Sequence, residues 1–303
     1  MITRDPGQFF AFARHLTVRS ESTTAKAAFL VAPEQFQLAG QSASDNRYMD
    51  LGVAVDPVRA SVQHRALQQA MAQALPTICF PGDARTPDAI FPNNVFATVP
   101  GTLILGHMRH PVRQAERGRA DIRGFFRDVL GYQERDLGTQ PGVCELTGAL
   151  VIDHARGLGY CGLSERCDET GARAMHDAFG LRATLMFELA PGEYHSNVVL
   201  AVLAGRAVVL ARDGFADAKV PAAIGGFYAP ATVDLTPAQK AAFVGNCIAL
   251  APNQAWMSQK AEHSLAPGQR NVLAMANFSV SSVPLDELEK AGGSLRCCVA
   301  ELF

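Results

Sequence analysis

Apolar runs of strand length, bounded by Gly, Pro, Asn and Asp, recur along the chain, and longer stretches between them carry apolar residues at helical spacing. The first run, Ala27 to Val31, follows a polar lead-in at Ser20-Glu21-Ser22-Thr23-Thr24. A helix is predicted over 57–75, because Asp56 can cap it, Pro57 suits its first turn, and Val58, Val62, Leu67, Met71 and Leu75 recur along it. A strand at 77–80 follows, then a hairpin of 95–99 and 102–106 that turns at Pro100-Gly101. A helix over 111–130 leads to strands at 149–153 and 158–162, with a helix at 168–179 behind them. Strands at 183–188, 198–203 and 207–210 and a helix at 236–244 come next, and a strand at 271–276, a helix at 284–291 and an apolar strand at 297–303 close the pattern.

Small β-rich units, each with one helix, thus repeat about every 55 to 60 residues, a spacing typical of repeat architectures, and about five units fit. The repetition is one of elements only, since no residue-level repeat is visible. No Ser/Gly-rich or Pro-rich linker divides the chain, so residues 26–303 read as one domain and residues 1–25 as a peripheral N-terminal segment. No GxGxxG follows a strand and no GxxxxGK[ST] occurs, which removes the Rossmann and P-loop nucleotide sites.

Composition narrows the partners. The 303 residues are 48% hydrophobic and 18% charged, with a formal net charge of −2, so there is no basic excess to neutralise phosphates and nucleic acid is not an expected partner. No apolar stretch reaches the length of a membrane span, and Met1-Ile2-Thr3-Arg4-Asp5-Pro6 lacks the basic start and apolar run of a secretory signal, so a cytoplasmic protein is expected. Seven cysteines (79, 144, 161, 167, 247, 297 and 298) form no CxxC pair, and their odd number fits reduced thiols better than a disulfide framework. The eight histidines show no HExxH spacing, so neither a metal nor another cofactor is expected.

The candidate chemistry lies at the heads of apolar runs. Cys297 follows the glycine-rich turn Gly292-Gly293-Ser294, His195 precedes Val198-Val199-Leu200, and Glu145 precedes Ala149-Leu150-Val151-Ile152. A thiol, a proton shuttle and an orienting carboxylate are what cysteine-dependent hydrolysis requires. Each residue alone also fits a plainer role, a buried structural thiol or a strand-end polar group facing solvent. Three such residues in three units, all at strand mouths, would meet on the axis of a radial assembly.

Five blocks run in order along the chain: Pro87-Asp88-Ala89-Ile90-Phe91-Pro92-Asn93-Asn94, Glu145-Leu146-Thr147-Gly148, Gly162-Leu163-Ser164-Glu165-Arg166, Tyr194-His195-Ser196-Asn197 and Gly292-Gly293-Ser294-Leu295-Arg296-Cys297. Together they resemble the guanidino-group-modifying, or pentein, superfamily of arginine deiminases, dimethylarginine hydrolases and amidinotransferases, and most of all the arginine-deiminase-related proteins that include citrulline utilisation hydrolases. The resemblance implies an α/β fold, a five-bladed propeller of ββαβ-type units around a central channel. It implies that Cys297 is the nucleophile, His195 the general acid and base, and Glu145 the carboxylate contacting the substrate nitrogens. Arg166 falls where relatives place an Arg near the substrate carboxylate, and Asp88, Asn94 and Asn197 fall among the substrate-binding positions. Cys298, on the opposite side of the strand from Cys297, is expected to pack.

Arginine deiminases carry acidic residues where this chain has Asn94 and Asn197. A neutral amide offers a donor and an acceptor, which suits a ureido group better than a cationic guanidinium. The expected function is therefore hydrolysis of a small amino-acid substrate of the citrulline type to ornithine, CO2 and ammonia. Arginine deiminase, acylarginine dihydrolase and amidinotransferase chemistry remain open alternatives, as does a noncatalytic pentein binder of the ribosome anti-association kind. A homo-oligomer is compatible with everything above.

Overall fold

The computed structural model describes residues 1–18 and 23–303. Five small sheets form five blades, and each repeats one pattern: two antiparallel strands, a helical connection, and a third strand parallel to the second. Blade 1 comprises Ala300–Leu302, Ala27–Val31 and Thr77–Phe80; blade 2, Phe96–Val99, Thr102–Leu105 and Gln133–Asp136. Blade 3 comprises Leu150–Asp153, Leu158–Leu163 and Ala183–Glu188; blade 4, Leu200–Leu203, Ala207–Leu210 and Thr232–Asp234; blade 5, Ile248–Ala251, Gln254–Ser258 and Ser279–Val283. The first strand of each blade lies innermost, and neighbouring inner strands pack together, as 300–302 does on 96–99 and 200–203 on both 150–153 and 248–251. Blade 1 takes its inner strand from the far end of the sequence, with Ala300 opposite Phe29 and Leu302 opposite Ala27, so one antiparallel ladder closes the ring.

The parallel second and third strands force a crossover, and the crossover supplies the outer helices. In blade 1 it is Pro57–Met71, capped by the Asp56 carboxylate, which accepts from the Val58 and Arg59 amides. Its buried side carries Ala60, Gln63, His64, Leu67 and Met71, whereas the predicted stripe members Val58 and Val62 face outward. In blade 3 it is Glu169–Ala178, capped by Asp168.

Several elements differ from the sequence expectation. The helix expected over 111–130 is four short pieces, Pro111–Gln114, Ala115–Gly118, Ala120–Gly124 and Phe125–Val129, and the strand expected over 297–303 is a turn through Cys297 and Cys298 followed by Ala300–Leu302. Residues 271–276, expected as a strand, lie in the helix Pro267–Met275 and the turn after it. Six apolar-rich residues fit either period, and here Gln269 accepts from the Ala266 amide to start a helix that places Met275 on the surface. The predicted helix 236–244 stops at Ala241, because Phe243 enters a left-handed turn (φ 61°) that leads into blade 5. The blade 4 helix Lys219–Tyr228 carries Pro221, Gly225 and Gly226, which masked its pattern.

The N-terminal segment lies at the outer edge of blade 3. Ile2–Thr3 adds a parallel strand beside Ala183–Glu188, and the helix Pro6–Ala13 buries Phe9 and Phe10 against Tyr160. Of residues 1–25, positions 19–22 fall outside the described residues. Among the described residues no helix is long and apolar enough to cross a membrane.

Candidate active site

A single backbone device recurs at the mouth of every blade. Just before each inner strand the chain makes one helical turn closed by a hydrogen bond from residue i+3 to residue i: Val95 to Pro92, Gly148 to Glu145, Val198 to His195, Asn246 to Phe243 and Val299 to Arg296. These five turns carry Asn93 and Asn94, Glu145, His195 and Asn197, Asn246, and Cys297. The strands are buried on both sides and point their entry turns toward the axis, so the polar residues of the turns converge there. The sequence motifs are polar for this reason.

Cys297 is 1% exposed. The Asn246 side chain holds it at two points: Oδ1 accepts from the Cys297 amide (3.3 Å), and Nδ2 donates to Sγ (3.2 Å). Asn246 Oδ1 also accepts from the Ser294 amide (3.2 Å), and Nδ2 donates to the Asn197 carbonyl (2.9 Å). The Asn197 amide nitrogen reaches Sγ at 3.6 Å and the Thr147 carbonyl at 3.2 Å. Burial pushes the Cys297 thiol up, and the Asn246 hydrogen bond, the Ser294 contact, Arg296 and Asn197 pull it back only in part. Cys298 is fully buried, and burial holds it well above the ordinary thiol range.

Removing the Asn246 donor therefore raises the thiol pKa further. For Asn246→Ala, the midpoint in the pH dependence of Cys297 alkylation is expected to move upward by about one unit, the worth of one hydrogen bond to a charged sulfur. Iodoacetamide labelling rates across pH, read by peptide mass, check this; an unmoved midpoint would mean that Asn246 does not touch the thiolate.

His195 Nε2 lies 2.9 Å from Glu145 Oε2, and both side chains are fully buried. Although burial alone would push Glu145 up, Arg166 and His195 hold its carboxyl well below the usual range. Burial lowers His195, and Glu145 offsets that only partly. The pair rests as carboxylate and neutral imidazole, with Nε2–H donating to Glu145 and the Nδ1 lone pair unpartnered. Gly148 lets Asn94 approach this ring, because a Cβ there would stand 2.5 Å from Asn94 Oδ1 and 2.8 Å from His195 Nδ1. Asn94 Oδ1 is itself unpartnered.

A cavity of about 10 Å³ lies beside the sulfur, lined in part by Asp88, Asn94, Arg113, Arg166, Tyr194 and Cys297. Asp88 accepts from the Ser42 hydroxyl through Oδ2, its Oδ1 is unpartnered, and burial raises its pKa. Arg113 is buried in a two-point ion pair with Glu116 (2.5 and 3.0 Å). Arg166, expected to meet a substrate carboxylate, has its N–H groups engaged elsewhere. Nε and Nη2 clasp Asp45 (2.9 and 2.5 Å), Nη2 also reaches the Ser42 carbonyl (2.9 Å), and Nη1 reaches Glu145 Oε2 (3.2 Å).

The structure thus brings Cys297, Asn94, Asp88 and Arg166 to one cavity, with Asn197 against the sulfur and the His195–Glu145 pair joined to Arg166 through Glu145. Sequence reasoning missed Asn246, Asp45 and Arg113. Asn246 shares the entry-turn position before an inner strand, which would have exposed it had blade 5 been placed.

The family described as N,N dimethylarginine dimethylhydrolase, eukaryotic, matches residues 32–303. The chain belongs to this family. No curated protein sequence matches. Among solved structures, dimethylarginine dimethylhydrolase from Pseudomonas aeruginosa, a Cys-to-Ser mutant in complex with citrulline, is 19% identical with a TM-score of 0.71 and covers 92% of this chain and 99% of that one. ArgZ, an arginine dihydrolase from the ornithine–ammonia cycle in cyanobacteria, is 19% identical with a TM-score of 0.78, covering 90% of this chain and 40% of that one. Its N-terminal domain bound to substrate gives 18% identity, a TM-score of 0.77, and coverage of 91% and 97%. The chain therefore spans about two-fifths of the full ArgZ chain and nearly all of its N-terminal domain. This member of the dimethylarginine dimethylhydrolase family has the pentein fold, the five-bladed α/β propeller.

Proposed function

We propose that this chain is a cysteine-dependent hydrolase that cleaves the ureido C–N bonds of a citrulline-type amino acid, with Cys297 as nucleophile and His195 as proton shuttle. One observation carries the choice of reacting group: amide donors, not a free carboxylate, converge on the sulfur. Asn246 Nδ2 and Asn197 Nδ2 point at Sγ, while both Glu145 oxygens are already taken by Arg166, His195 and the Arg109 amide (3.2 Å). With Asp88 given to the substrate ammonium, a cationic guanidinium would have no free carboxylate of its own, whereas a ureido oxygen needs donors and its N–H groups need acceptors such as Asn94 Oδ1. Asp88 Oδ1 suits the substrate ammonium, and Arg113 its carboxylate.

In the proposed sequence, Sγ attacks the ureido carbon as its proton passes to His195. The oxyanion meets the amide donors, and His195 returns the proton to a departing nitrogen. Water activated by neutral His195 then releases the remaining acyl group from sulfur. Loss of the terminal nitrogen first gives ammonia and a carbamate that falls to CO2 and ornithine; loss of the chain nitrogen gives ornithine first. The sum is citrulline plus water to ornithine, CO2 and ammonia.

Asp88 supports a second reading, because an unpartnered buried carboxylate oxygen also suits a guanidinium. The deciding experiment incubates the protein with L-citrulline, L-arginine or N,N-dimethylarginine and quantifies ammonia, ornithine, citrulline and dimethylamine. Ornithine and ammonia from citrulline are expected. Citrulline or ornithine from arginine alone would establish guanidinium hydrolysis instead, and dimethylamine would establish the reaction in the family's description. Transfer to added glycine would mark an amidinotransferase.

A further inference from the structure

Residues 40–54 cross the mouth of the cavity as a cover anchored on several sides. Met49 pairs with Ala291, Asn46 Nδ2 donates to the Gly292 carbonyl (3.4 Å), and the Tyr48 hydroxyl donates to Glu193 Oε2 (2.7 Å). Gly292 sits at φ 74°, and a Cβ there would stand 2.4 Å from the Asn46 amide nitrogen, so the cover rests directly on this turn. About 10 Å³ holds about one water and no amino acid, so the cover must lift for a substrate to enter.

Two further residues of the cover continue into the site: Ser42, whose carbonyl accepts from Arg166 and whose hydroxyl donates to Asp88, and Asp45. The Asp45 carboxylate sits among Arg166, Arg109 (Nε 3.3 Å) and His110 (Nε2 3.0 Å), and Arg166 is 2% exposed. From Asp45 an unbroken line of contacts runs through Arg166 to Glu145 and on to His195 Nε2. We propose that Asp45 is a positioning residue for the reaction: brought down with the cover, it fixes Arg166 against Glu145, so that the Glu145–His195 pair takes its working geometry only in the closed site. The proposal rests on His195 and Cys297 acting as described above.

The physical basis is the geometry of the guanidinium. Two of its edges are held by different elements, the Nε–Nη2 edge by the cover and Nη1 by Glu145. A planar fork held on one edge has its opposite edge aimed. Releasing Asp45 frees Arg166 to rotate away from Glu145, and the carboxylate that orients the imidazole loses the guanidinium that fixes its Oε2, keeping only the Arg109 amide on Oε1. The cover therefore serves both to exclude water and to assemble the catalytic pair.

Two variants separate these functions. In Asp45→Asn, Cys297 alkylation by iodoacetamide is expected to accelerate about tenfold, with Cys144, Cys161, Cys167, Cys247 and Cys298 staying unlabelled in peptide maps, as unfolding would not allow. The low-field proton signal of the His195 Nε2–H, assigned by its loss in His195→Ala, is expected to broaden or vanish, and kcat to fall about tenfold with KM changed less than threefold. Tyr48→Phe loosens the cover without touching Arg166, so it is expected to speed alkylation while leaving the His195 signal, and kcat within twofold. An unchanged His195 signal in Asp45→Asn, or equal loss of the signal in Tyr48→Phe, would overturn the proposal. If the wild type turned over none of the substrates, the function above would fail, and the alkylation and imidazole signals would still decide on Asp45.

Discussion

Cys297→Ala is expected to lower turnover on the order of 10³-fold or more, because Cys297 is the one thiol among the described residues that line the cavity. Cys298 is no substitute, since it is packed among Leu288, Leu295 and Val299 in an apolar cluster and burial holds its proton firmly. The fold should tolerate the change. Asn246 keeps the Asn197 carbonyl and the Ser294 amide as partners when the sulfur is gone, Asn197 keeps the Thr147 carbonyl and loses only a long contact from Sγ to its Oδ1 (3.8 Å), and deletion of one small group costs about 1 kcal/mol. Thermal unfolding within a few degrees of the wild type, with activity lost, is the expected pair of results. Acid-quenched wild type incubated with substrate should show a mass increase on the peptide containing Cys297, absent from the variant. Retained turnover in Cys297→Ala would remove this thiol from the mechanism.

Glu145→Gln is expected to damage both function and stability. The amide keeps the shape but cannot hold imidazole Nε2–H and Arg166 together as an ionised carboxylate does, so turnover should fall on the order of 10²- to 10⁴-fold. Arg166 is buried, and breaking one side of a buried pair costs about 3 to 5 kcal/mol, less whatever Asp45 still compensates. The pH dependence has a definite sign. Arg166 and His195 depress the folded-state pKa of Glu145, so its contribution to stability is complete above the unfolded value of about 4.3 and is lost as pH falls toward the folded value. The difference in unfolding free energy between wild type and Glu145→Gln should therefore be constant from pH 7 to pH 5 and shrink below about pH 4, as urea titrations at each pH would show. A difference that stayed constant into acid would mean that folding does not depress the Glu145 pKa.

Much of this arrangement was legible in the sequence because its blades are built from short, strongly apolar strands. Ala27–Val31, Thr77–Phe80, Ala183–Glu188 and Ala207–Leu210 fall where their apolar runs place them. Glu145, His195 and Cys297 were legible for a related reason: a lone polar group at the head of a buried strand stands out against its neighbours. Asn246 did not, since Phe243-Val244-Gly245-Asn246 reads as the frayed end of the preceding helix until Ile248–Ala251 is known to be an inner strand. Ser279–Val283 was hidden because three of its five residues are serines and only Val283 is buried. Asp45 carries no local signal at all. Its meaning comes from Arg166, 121 positions away, and such pairing is set by the tertiary fold alone.

The closing ladder of blade 1 also governs when the protein becomes reactive. The ribosome releases the site groups in the order Asp45, Asn94, Glu145, Arg166, His195, Asn246 and Cys297, and the strand that zips the ring follows Cys297 by only three residues. A nascent chain can therefore bring Glu145 and His195 together before Cys297 has been made. The thiol emerges almost together with the segment that encloses it, so the interval in which an ionisable sulfur stands exposed to oxidants is as short as this topology permits.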